Sequence, residues 1–192
     1  MSPRAFTADE TDRIRDRLHE AARQSFALHG LRRTTVDDLA RAAGISKGAF
    51  YRFHESKEAL LVTLLDEIEA DLHDQVEAAV RADPANGLGV LVDTALDAVR
   101  TNPLLSVVMS PEGLLALQSR PLAEQEEMRN RDVVLVARVA TALRAGGVTE
   151  LPPEQVLLGL MRSLVFVGLH RDEVGPDLVE EVRAWLKDAL RR

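Results

Sequence analysis

The stretch TTVDDLARAAGISKGAFYRFHESKEALL, residues 34–61, decides the fold of this chain. Thr35 can cap a helix because its hydroxyl accepts an orphan backbone amide, and Asp37 suits the positive end of that helix. These signals predict a helix over residues 36–43. Gly44 follows directly, and a glycine there can adopt the left-handed conformation that ends a helix and turns the chain. The stretch therefore begins with a short helix and a sharp turn.

A second short helix follows the turn, and its composition is unusual. Ser46 is a second N-cap and predicts a helix over residues 47–53. Phe50 and Phe53 can anchor one face of this helix in a core. The other positions are small, basic or hydrogen-bonding: Lys47, Gly48, Ala49, Tyr51 and Arg52. Such a surface suits phosphates and base edges, so we predict a helix-turn-helix whose second helix enters the major groove of DNA.

The string T-V-D-D-L-A-x-x-A-G-I-S-K-G-x-F-Y-x-x-x-x-S-K-E-x-L, which begins at Thr35, resembles the DNA-binding domain of the tetracycline-repressor (TetR) family of transcriptional regulators. The resemblance covers roughly the first third of the chain. It implies an all-α fold, with an N-terminal three-helix helix-turn-helix domain joined by a long fourth helix to a C-terminal helical domain for ligand binding and dimerisation. We place the two domains at residues 1–58 and 59–192.

The resemblance also implies a set of DNA-facing residues: Thr35, Ser46, Lys47, Gly48, Ala49, Tyr51, Arg52 and Lys57. Thr35 and Lys57 stand at helix N-termini and would take phosphates, whereas Lys47 could touch phosphate or base. For Tyr51 the alternative is a packed ring with its hydroxyl in water. The family often places His then Phe after its aromatic pair, but this chain has Phe53 then His54. The phosphate contact of that histidine is therefore not carried over, and His54 is left as a packing or capping residue.

Apolar residues repeat at helical spacing through most of the chain, and no alternating strand pattern occurs. Thr7 and Glu10 form a capping box for a first helix that Gly30 is expected to end. After Ser56 one apolar stripe continues for about seven turns, to Asp83, and predicts the long fourth helix. Further helices are predicted over residues 88–101, 104–109, a short piece from 110, 121–145, 153–170 and 176–191.

The net charge of −7 divides unevenly along the chain. Residues 1–58 contain 11 Lys and Arg against 9 Asp and Glu, whereas residues 59–192 contain 13 against 22. The slight basic excess lies with the helix-turn-helix, and the acidic remainder would be held away from DNA.

Composition excludes several classes of protein. The chain has no cysteine, which excludes disulfides and thiolate chemistry and favours the cytoplasm. Its N-terminus lacks the apolar core of a secretory signal, and only Arg4 is basic ahead of the first helix, so no minor-groove arm is predicted. The longest apolar run, residues 156–169, contains Arg162 and is too short to span a bilayer. We predict a cytoplasmic protein with no membrane partner.

Three residues of the long helix have spacing that could suit a metal. Glu69, His73 and Glu77 share one face at i, i+4 intervals. A hydrated polar face with i, i+4 pairing explains the same pattern, and this interpretation is preferred. We therefore predict no metal and no cofactor.

The last two helices differ from the others because residues 156–169 are apolar on nearly every side. The resemblance implies that this helix pair meets its symmetry mate in a four-helix dimer interface, although a core helix would look similar. The predicted interface residues are Leu157, Leu160, Leu164, Phe166, Val167, Val182 and Leu186.

Aromatic residues are scarce outside the DNA-binding third, where only Phe166 and Trp185 occur. Stacking and cation–π recognition of planar or cationic ligands need aromatic faces, so such ligands are not expected. An aliphatic and thioether lining would instead suit a flexible apolar molecule such as an acyl chain or a terpenoid-like metabolite. The candidate lining is Leu65, Leu91, Leu104, Leu105, Val108, Met109, Leu114, Leu117, Met128 and Met161. The alternative is that these residues only pack the core.

The leading hypothesis is a ligand-responsive repressor that binds a palindromic DNA operator as a homodimer and is released by an unknown small-molecule effector. The alternative is an architectural or adaptor protein that binds DNA without a ligand. An enzyme is not predicted, because five scattered histidines without cysteine or a glycine-rich phosphate loop offer no catalytic constellation. The cluster from His170 to Glu173 is explained by its place at a helix end.

Overall fold

The computed structural model of the chain describes residues 6–190, except for the side chain of Val99. All regular structure in this part of the chain is helical, which confirms the predicted all-α fold. Arg4 and the last residue of the predicted helix 176–191 lie outside the described residues. The helices are α1 (Ala8–Arg33), α2 (Val36–Ala42), α3 (Lys47–Phe50), α4 (Lys57–Ala82), α5 (Gly87–Thr101), α6 (Leu104–Val108), α7 (Pro111–Gln118), α8 (Leu122–Ala145), α9 (Glu154–Leu169), α10 (Arg171–Val174) and α11 (Pro176–Ala189).

The chain forms two compact units. The first comprises Met1–Leu65 and Ser106–Ser119, and the second comprises Asp66–Leu105 and Arg120–Arg192. The first unit thus contains α1 to α3, the beginning of α4, and α7. The boundary between the units lies inside α4, whereas the functional division at residues 58 and 59 stays a prediction. None of the described helices is long and apolar enough to cross a membrane.

α1 begins with the predicted capping box. The Thr7 hydroxyl accepts a hydrogen bond from the Glu10 amide at 3.2 Å, and the Glu10 carboxylate accepts one from the Thr7 amide at 2.9 Å. Phe26, near the other end, is fully buried. The φ and ψ of Gly30, 74° and 167°, are non-helical and separate two helical segments. The prediction that Gly30 ends the first segment is therefore confirmed, and a further short segment follows to Arg33.

α2 and α3 form the predicted helix-turn-helix. The Thr35 hydroxyl accepts a hydrogen bond from the Asp38 amide at 3.2 Å, and the Ser46 hydroxyl accepts one from the Ala49 amide at 3.2 Å. Both predicted N-caps are therefore confirmed. Gly44, between the helices, has a φ of 71°, which is the left-handed conformation that a residue with a side chain rarely adopts.

α3 ends earlier than residue 53, the predicted end. The Arg52 amide bonds to the Ala49 carbonyl at 3.1 Å, and the Phe53 amide bonds to the Phe50 carbonyl at 2.9 Å. These i to i+3 bonds tighten the last turn, so the regular α-helix stops at Phe50. Phe50 is fully buried and anchors the helix.

The second unit buries an aliphatic core built from α5, α8 and α9, to which α4 and α11 contribute. α5 and α9 pack closely at Gly168, where an added Cβ atom would lie 2.5 Å from the Leu96 carbonyl oxygen. The buried members of this core are Val76, Val80, Leu88, Leu91, Val92, Ala95, Leu96, Leu135, Val136, Val139, Leu143, Leu157, Met161, Leu164 and Val179. The core is aliphatic, apart from the thioether of Met161.

Ion pairs fix α11 to α5 within the second unit. The Arg183 guanidinium donates to both carboxylate oxygens of Asp97, at 2.6 and 3.0 Å, and Lys187 binds Asp93. The hydrogen bonds from Arg183 lower the pKa of Asp97 to about 2 despite its partial burial, and Arg100 adds to this effect. One side of α11 is thereby held against α5, and its opposite side faces outward.

Candidate nucleic-acid interface

The segment of α3 and the turn that follows it, residues 47–52, has a buried side and an exposed side, as its sequence predicts. Phe50 is fully buried, whereas Tyr51 and Arg52 are exposed. Ala49 is half-buried, and the remaining predicted DNA-facing residues of this segment, Ser46, Lys47 and Gly48, are exposed. The structure thus brings the predicted residues of α3 together on one accessible surface.

Lys47 is tied to α2 by an ion pair. Its ammonium lies 2.9 Å from the Asp37 carboxylate, and both side chains are about half exposed. The hydrogen bond with Asp37 and the charge of that carboxylate raise the pKa of Lys47. A phosphate that binds Lys47 therefore has to compete with an acidic side chain from the same domain.

Thr35 combines two local hydrogen bonds at the start of α2. Besides capping the helix, its hydroxyl donates to the Asp38 carboxylate at 2.5 Å. This bond lowers the pKa of Asp38, with Arg41 contributing. The Thr35 hydroxyl proton is used within the domain, so a phosphate contact at this residue requires the hydroxyl to turn away from Asp38.

Lys57 contacts backbone carbonyl groups of its own domain. Its ammonium donates to the carbonyl oxygens of Leu31 at 2.7 Å and Thr34 at 2.8 Å, and lies 3.4 Å from that of Arg32. These carbonyls lie at the end of α1, where helical hydrogen bonding runs out and a cation is favoured. The Lys57 ammonium is thus engaged in holding the end of α1, which argues against its predicted phosphate role.

Arg52 is supported by Phe6, a residue that had no predicted role. The Arg52 guanidinium lies 4.9 Å from the centroid of the Phe6 ring, within cation–π range. Phe6 also packs near Phe53, with ring centroids 6.3 Å apart. An apolar residue just before the N-cap Thr7 was the only sequence signal, and such residues normally pack within their own helix.

His54 belongs to the interior of the first unit. Its ring centroid lies 5.4 Å from that of His19 and 6.1 Å from that of Phe50. Burial lowers the pKa of His54 to about 4, and the charges of His19 and Arg15 add to this effect. His54 is therefore neutral near pH 7, and its contacts favour the packing alternative over a phosphate contact.

The predicted dimer residues divide between two environments in the second unit. Leu157 and Leu164 are buried in its core and leave almost no surface for a partner, which argues against their place in an interface. Phe166 is 55% exposed, and Val182 is exposed on α11. Leu160, Val167 and Leu186 are partly buried. The sequence did not separate the two faces because α9 is apolar on nearly all sides.

Three further apolar residues are exposed on the same two helices. These are Val156 on α9 and Leu178 and Trp185 on α11, the last with 68% of its surface exposed. Leu178 and Val182 are spaced by four residues and Trp185 follows three later, which places them on one face of α11. We refer to the exposed apolar residues of α9 and α11, namely these three with Phe166 and Val182, as the outer apolar face. The helical spacing of Leu178, Val182 and Trp185 in the sequence already indicates that they share a face of α11.

The predicted ligand-lining residues lie in both units and differ in burial. Leu65, Leu91, Leu104, Val108 and Met161 are buried, Leu105, Met109, Leu117 and Met128 are half-buried, and Leu114 is exposed. The second unit also has a surface groove of about 670 Å³ formed by the end of α4 and by α8, with Val134 and Ala137 in its wall. None of the predicted residues lines this groove, so the ligand pocket stays a prediction.

A capped helix-turn-helix with a basic, exposed second helix is typical of DNA-binding regulators. Residues 18–64 match the family described as bacterial regulatory proteins, tetR family. This match confirms the resemblance of the N-terminal part of the chain to the TetR family of bacterial transcriptional regulators, which the sequence indicated.

Two curated relatives match the N-terminal part of the chain. The nucleoid occlusion factor SlmA of Haemophilus ducreyi is 31% identical over 88 residues, which is 45% of this chain and 44% of that protein. The HTH-type transcriptional regulator TtgR of Pseudomonas putida is 34% identical over 86 residues, which is 44% of this chain and 40% of that protein. The chain thus spans less than half the length of these relatives.

Solved structures share the fold over nearly the whole chain. A TetR-family regulator from Pectobacterium atrosepticum has a TM-score of 0.70 at 23% identity, with 96% of this chain and 94% of that chain covered. The regulator FadR from Bacillus subtilis, solved with stearoyl-CoA, has a TM-score of 0.66 at 17% identity, with 91% and 96% covered. At this level of identity the likeness shows the fold alone.

Proposed function

We propose that the protein is a repressor that binds a palindromic DNA operator as a homodimer and is released by a small apolar ligand. The observation that carries this proposal is the two-sided character of α3. Phe50 fixes the helix in the first unit, while Lys47, Tyr51 and Arg52 remain accessible. A short helix that is anchored by Phe50, and that together with the following turn exposes Lys47, Tyr51 and Arg52, suits the major groove.

The support for individual DNA contacts is unequal. Lys47 and Arg52 both have exposed cationic groups. A phosphate can replace Asp37 as the partner of Lys47. It can bind Arg52 while the guanidinium stays against the ring of Phe6. Tyr51 is exposed, so its hydroxyl is available to phosphate or base. Lys57 is withdrawn from the proposed set because it holds carbonyl groups within the domain.

The dimer part of the proposal rests on the outer apolar face. Helices α9 and α11 expose five large apolar residues, with an aromatic residue on each helix. Exposed apolar surface of this kind is typical of protein–protein interfaces. Phenylalanine and tryptophan are also among the residues enriched at protein interfaces. A symmetric dimer would present α9 and α11 twice, and a two-fold protein matches a palindromic operator.

The ligand part rests on composition and on one related fold. The second unit contains only two aromatic residues, Phe166 and Trp185, and both are exposed on the outer apolar face. A lining drawn from the remaining residues would be aliphatic, which suits a flexible chain better than a planar cation. FadR of Bacillus subtilis, which shares this fold, was solved with stearoyl-CoA.

A second candidate function is a DNA-binding adaptor that acts without a small ligand. The similarity of the N-terminal part to the nucleoid occlusion factor SlmA favours it. The two functions differ in one measurable respect, because only the repressor should leave DNA when an apolar compound binds.

The DNA assignment predicts a defined change in salt dependence for Lys47→Gln. On a selected palindrome, fluorescence anisotropy should show weaker binding, and the slope of log affinity against log salt should fall by about 1 for each phosphate that the side chain no longer neutralises. If Lys47 reaches a base edge, the variant should also discriminate less between operator and scrambled DNA. Arg129→Gln, which removes an exposed cation from the second unit, is the matched control and should leave the slope unchanged. An unchanged slope in Lys47→Gln would refute the phosphate assignment.

The ligand assignment predicts selective binding of aliphatic compounds. In calorimetry against a panel of fatty acyl compounds, terpenoids and planar aromatic cations, aliphatic members should bind and should also release the protein from its operator. Release without any aliphatic binding, or tight binding of planar cations alone, would contradict the proposed ligand class. A protein that binds no member and stays on DNA would favour the adaptor function.

A further inference from the structure

Two helices of the second unit bring three metal-ligating side chains together. Glu69 and His73 stand one turn apart on α4, and Asp132 faces them from α8. One ligand atom from each of the three lies within 4.8 Å of the others. The sequence could not reveal this group, because it pairs residues on α4 with a residue some sixty positions later. Within α4 the sequence offered Glu77 instead.

Glu77 is not part of the group. Its two carboxylate oxygens bind Arg81 and Arg138. Glu77 is therefore engaged by two cations, and Asp132 takes the place that spacing alone had assigned to it.

The distances suit a small divalent ion. His73 Nε2 lies 3.4 Å from Asp132 Oδ1. Two donors of a tetrahedral ion that each stand about 2.1 Å from it are roughly 3.4 Å apart, so this pair is already at the spacing of two ligands. A carboxylate oxygen of Glu69 lies within 4.8 Å of the ligand atoms of His73 and Asp132, so small movements toward a common centre would complete the set.

Arginines outside the group hold the carboxylates in place. Arg131 donates to Glu69 Oε2 through Nε at 2.9 Å and through Nη2 at 2.6 Å. Arg162 donates to Asp132 Oδ2 at 2.9 Å, while Oδ1 of the same carboxylate faces His73. These arginine contacts use one oxygen of each carboxylate. Carboxylates that bind a metal are usually held by hydrogen bonds from outer partners, which is the position of these arginines.

The arginine charges are themselves partly neutralised. Arg131 also donates to Asp66 Oδ1 at 2.6 Å, and Asp66 receives a bidentate contact from Arg120 at 3.1 and 2.8 Å. Arg131 therefore shares its charge between two carboxylates instead of saturating Glu69.

The three ligands are shielded from water. Their side chains are about one-fifth exposed: 20% for Glu69, 20% for His73 and 21% for Asp132. Burial raises the pKa of Glu69 even though Arg131 binds it. A bound cation would oppose that effect, because it stabilises the ionised carboxylate.

We propose that Glu69, His73 and Asp132 form a binding site for a divalent transition-metal ion of the Zn²⁺ type. One imidazole nitrogen and two carboxylate oxygens favour such an ion over Mg²⁺ or Ca²⁺, which prefer oxygen ligands alone. Three protein ligands leave a further position for water. The ion would join α4 to α8 within the second unit. The site is independent of the proposed operator binding.

The test is a calorimetric titration of the full chain with zinc sulfate after treatment with a chelator. We expect one ion to bind per chain, with an affinity that falls at least about tenfold in His73→Ala and in Asp132→Asn, since even outer-shell losses weaken metal sites by roughly 10- to 100-fold. His29→Ala, which removes an exposed histidine of α1, is the matched control and should bind as tightly as the unchanged protein.

A second measurement keeps the test decisive where a variant unfolds. Co²⁺ added to the unchanged protein should develop the visible absorption bands of a coordinated ion, and Zn²⁺ should remove them by displacement. X-ray absorption of the zinc-loaded protein should show scattering from one imidazole. The proposal is overturned if Zn²⁺ binds His73→Ala as tightly as the unchanged protein, or if Co²⁺ keeps the spectrum of its hydrated ion.

Discussion

Phe166→Glu is expected to convert the protein from a homodimer into a monomer. Phe166 is 55% exposed in the single chain, so a charge there is compatible with folding of the monomer. In a dimer formed through the outer apolar face the same charge would be buried without a partner, which costs about 3 to 5 kcal/mol. A symmetric interface contains the change twice. The dimer should therefore weaken by more than about 100-fold.

Analytical ultracentrifugation at micromolar protein measures this effect directly. The variant should also lose affinity for the full palindrome, because one reading head contacts only one half-site. Leu122→Glu is the matched control, since Leu122 is 80% exposed in the second unit and lies outside the outer apolar face. An intact dimer in Phe166→Glu would show that this face is not the interface and that Phe166 is an ordinary surface residue.

Gly168→Ala is expected to destabilise the second unit by about 3 kcal/mol, at the upper end of the cost of overpacking. The new Cβ atom would lie 2.5 Å from the Leu96 carbonyl oxygen and 3.2 Å from its carbonyl carbon. Backbone atoms cannot rotate away as a flexible side chain can. α9 must therefore shift from α5, and the shift would loosen the core that both helices share.

Gly159→Ala is the matched control because Gly159 belongs to the same helix and an added Cβ atom there meets nothing within 4 Å. Alanine is the better helix former by roughly 0.5 to 1 kcal/mol, so this variant should be unchanged or slightly stabilised. Urea denaturation at several protein concentrations separates folding from association. Equal stability of the two variants would mean that α9 does not approach the Leu96 carbonyl closely.

Features that depend on neighbouring residues could be predicted from the sequence. The caps at Thr7, Thr35 and Ser46 and the left-handed Gly44 follow from residues no more than a few positions apart. Each cap needs only a hydroxyl and an orphan amide of the next turn. The buried anchor Phe50 followed in the same way, from its place between exposed small and basic residues.

Features that depend on distant residues could not be predicted. The partners of Lys57 lie some 25 residues earlier, and nothing in its own surroundings distinguishes a carbonyl contact from a phosphate contact. The same limit explains Leu157 and Leu164, whose burial is set by α5 and α8 rather than by α9 itself. Asp132 joins His73 for the same reason. In each case the local sequence is compatible with more than one role, and a residue that is distant in the sequence but close in the fold determines which role is taken.

The scarcity of aromatic residues has an optical consequence. Trp185 is the one tryptophan in the chain and lies on the outer apolar face, and Tyr51 is the one tyrosine and directly follows α3. Each of the two proposed interfaces therefore carries a single intrinsic fluorophore of its own kind. Excitation at the red edge reports on Trp185 alone, so its emission maximum follows burial at the protein partner without any dye. Tyrosine emission comes from Tyr51 alone, and its quenching follows contact with nucleic acid.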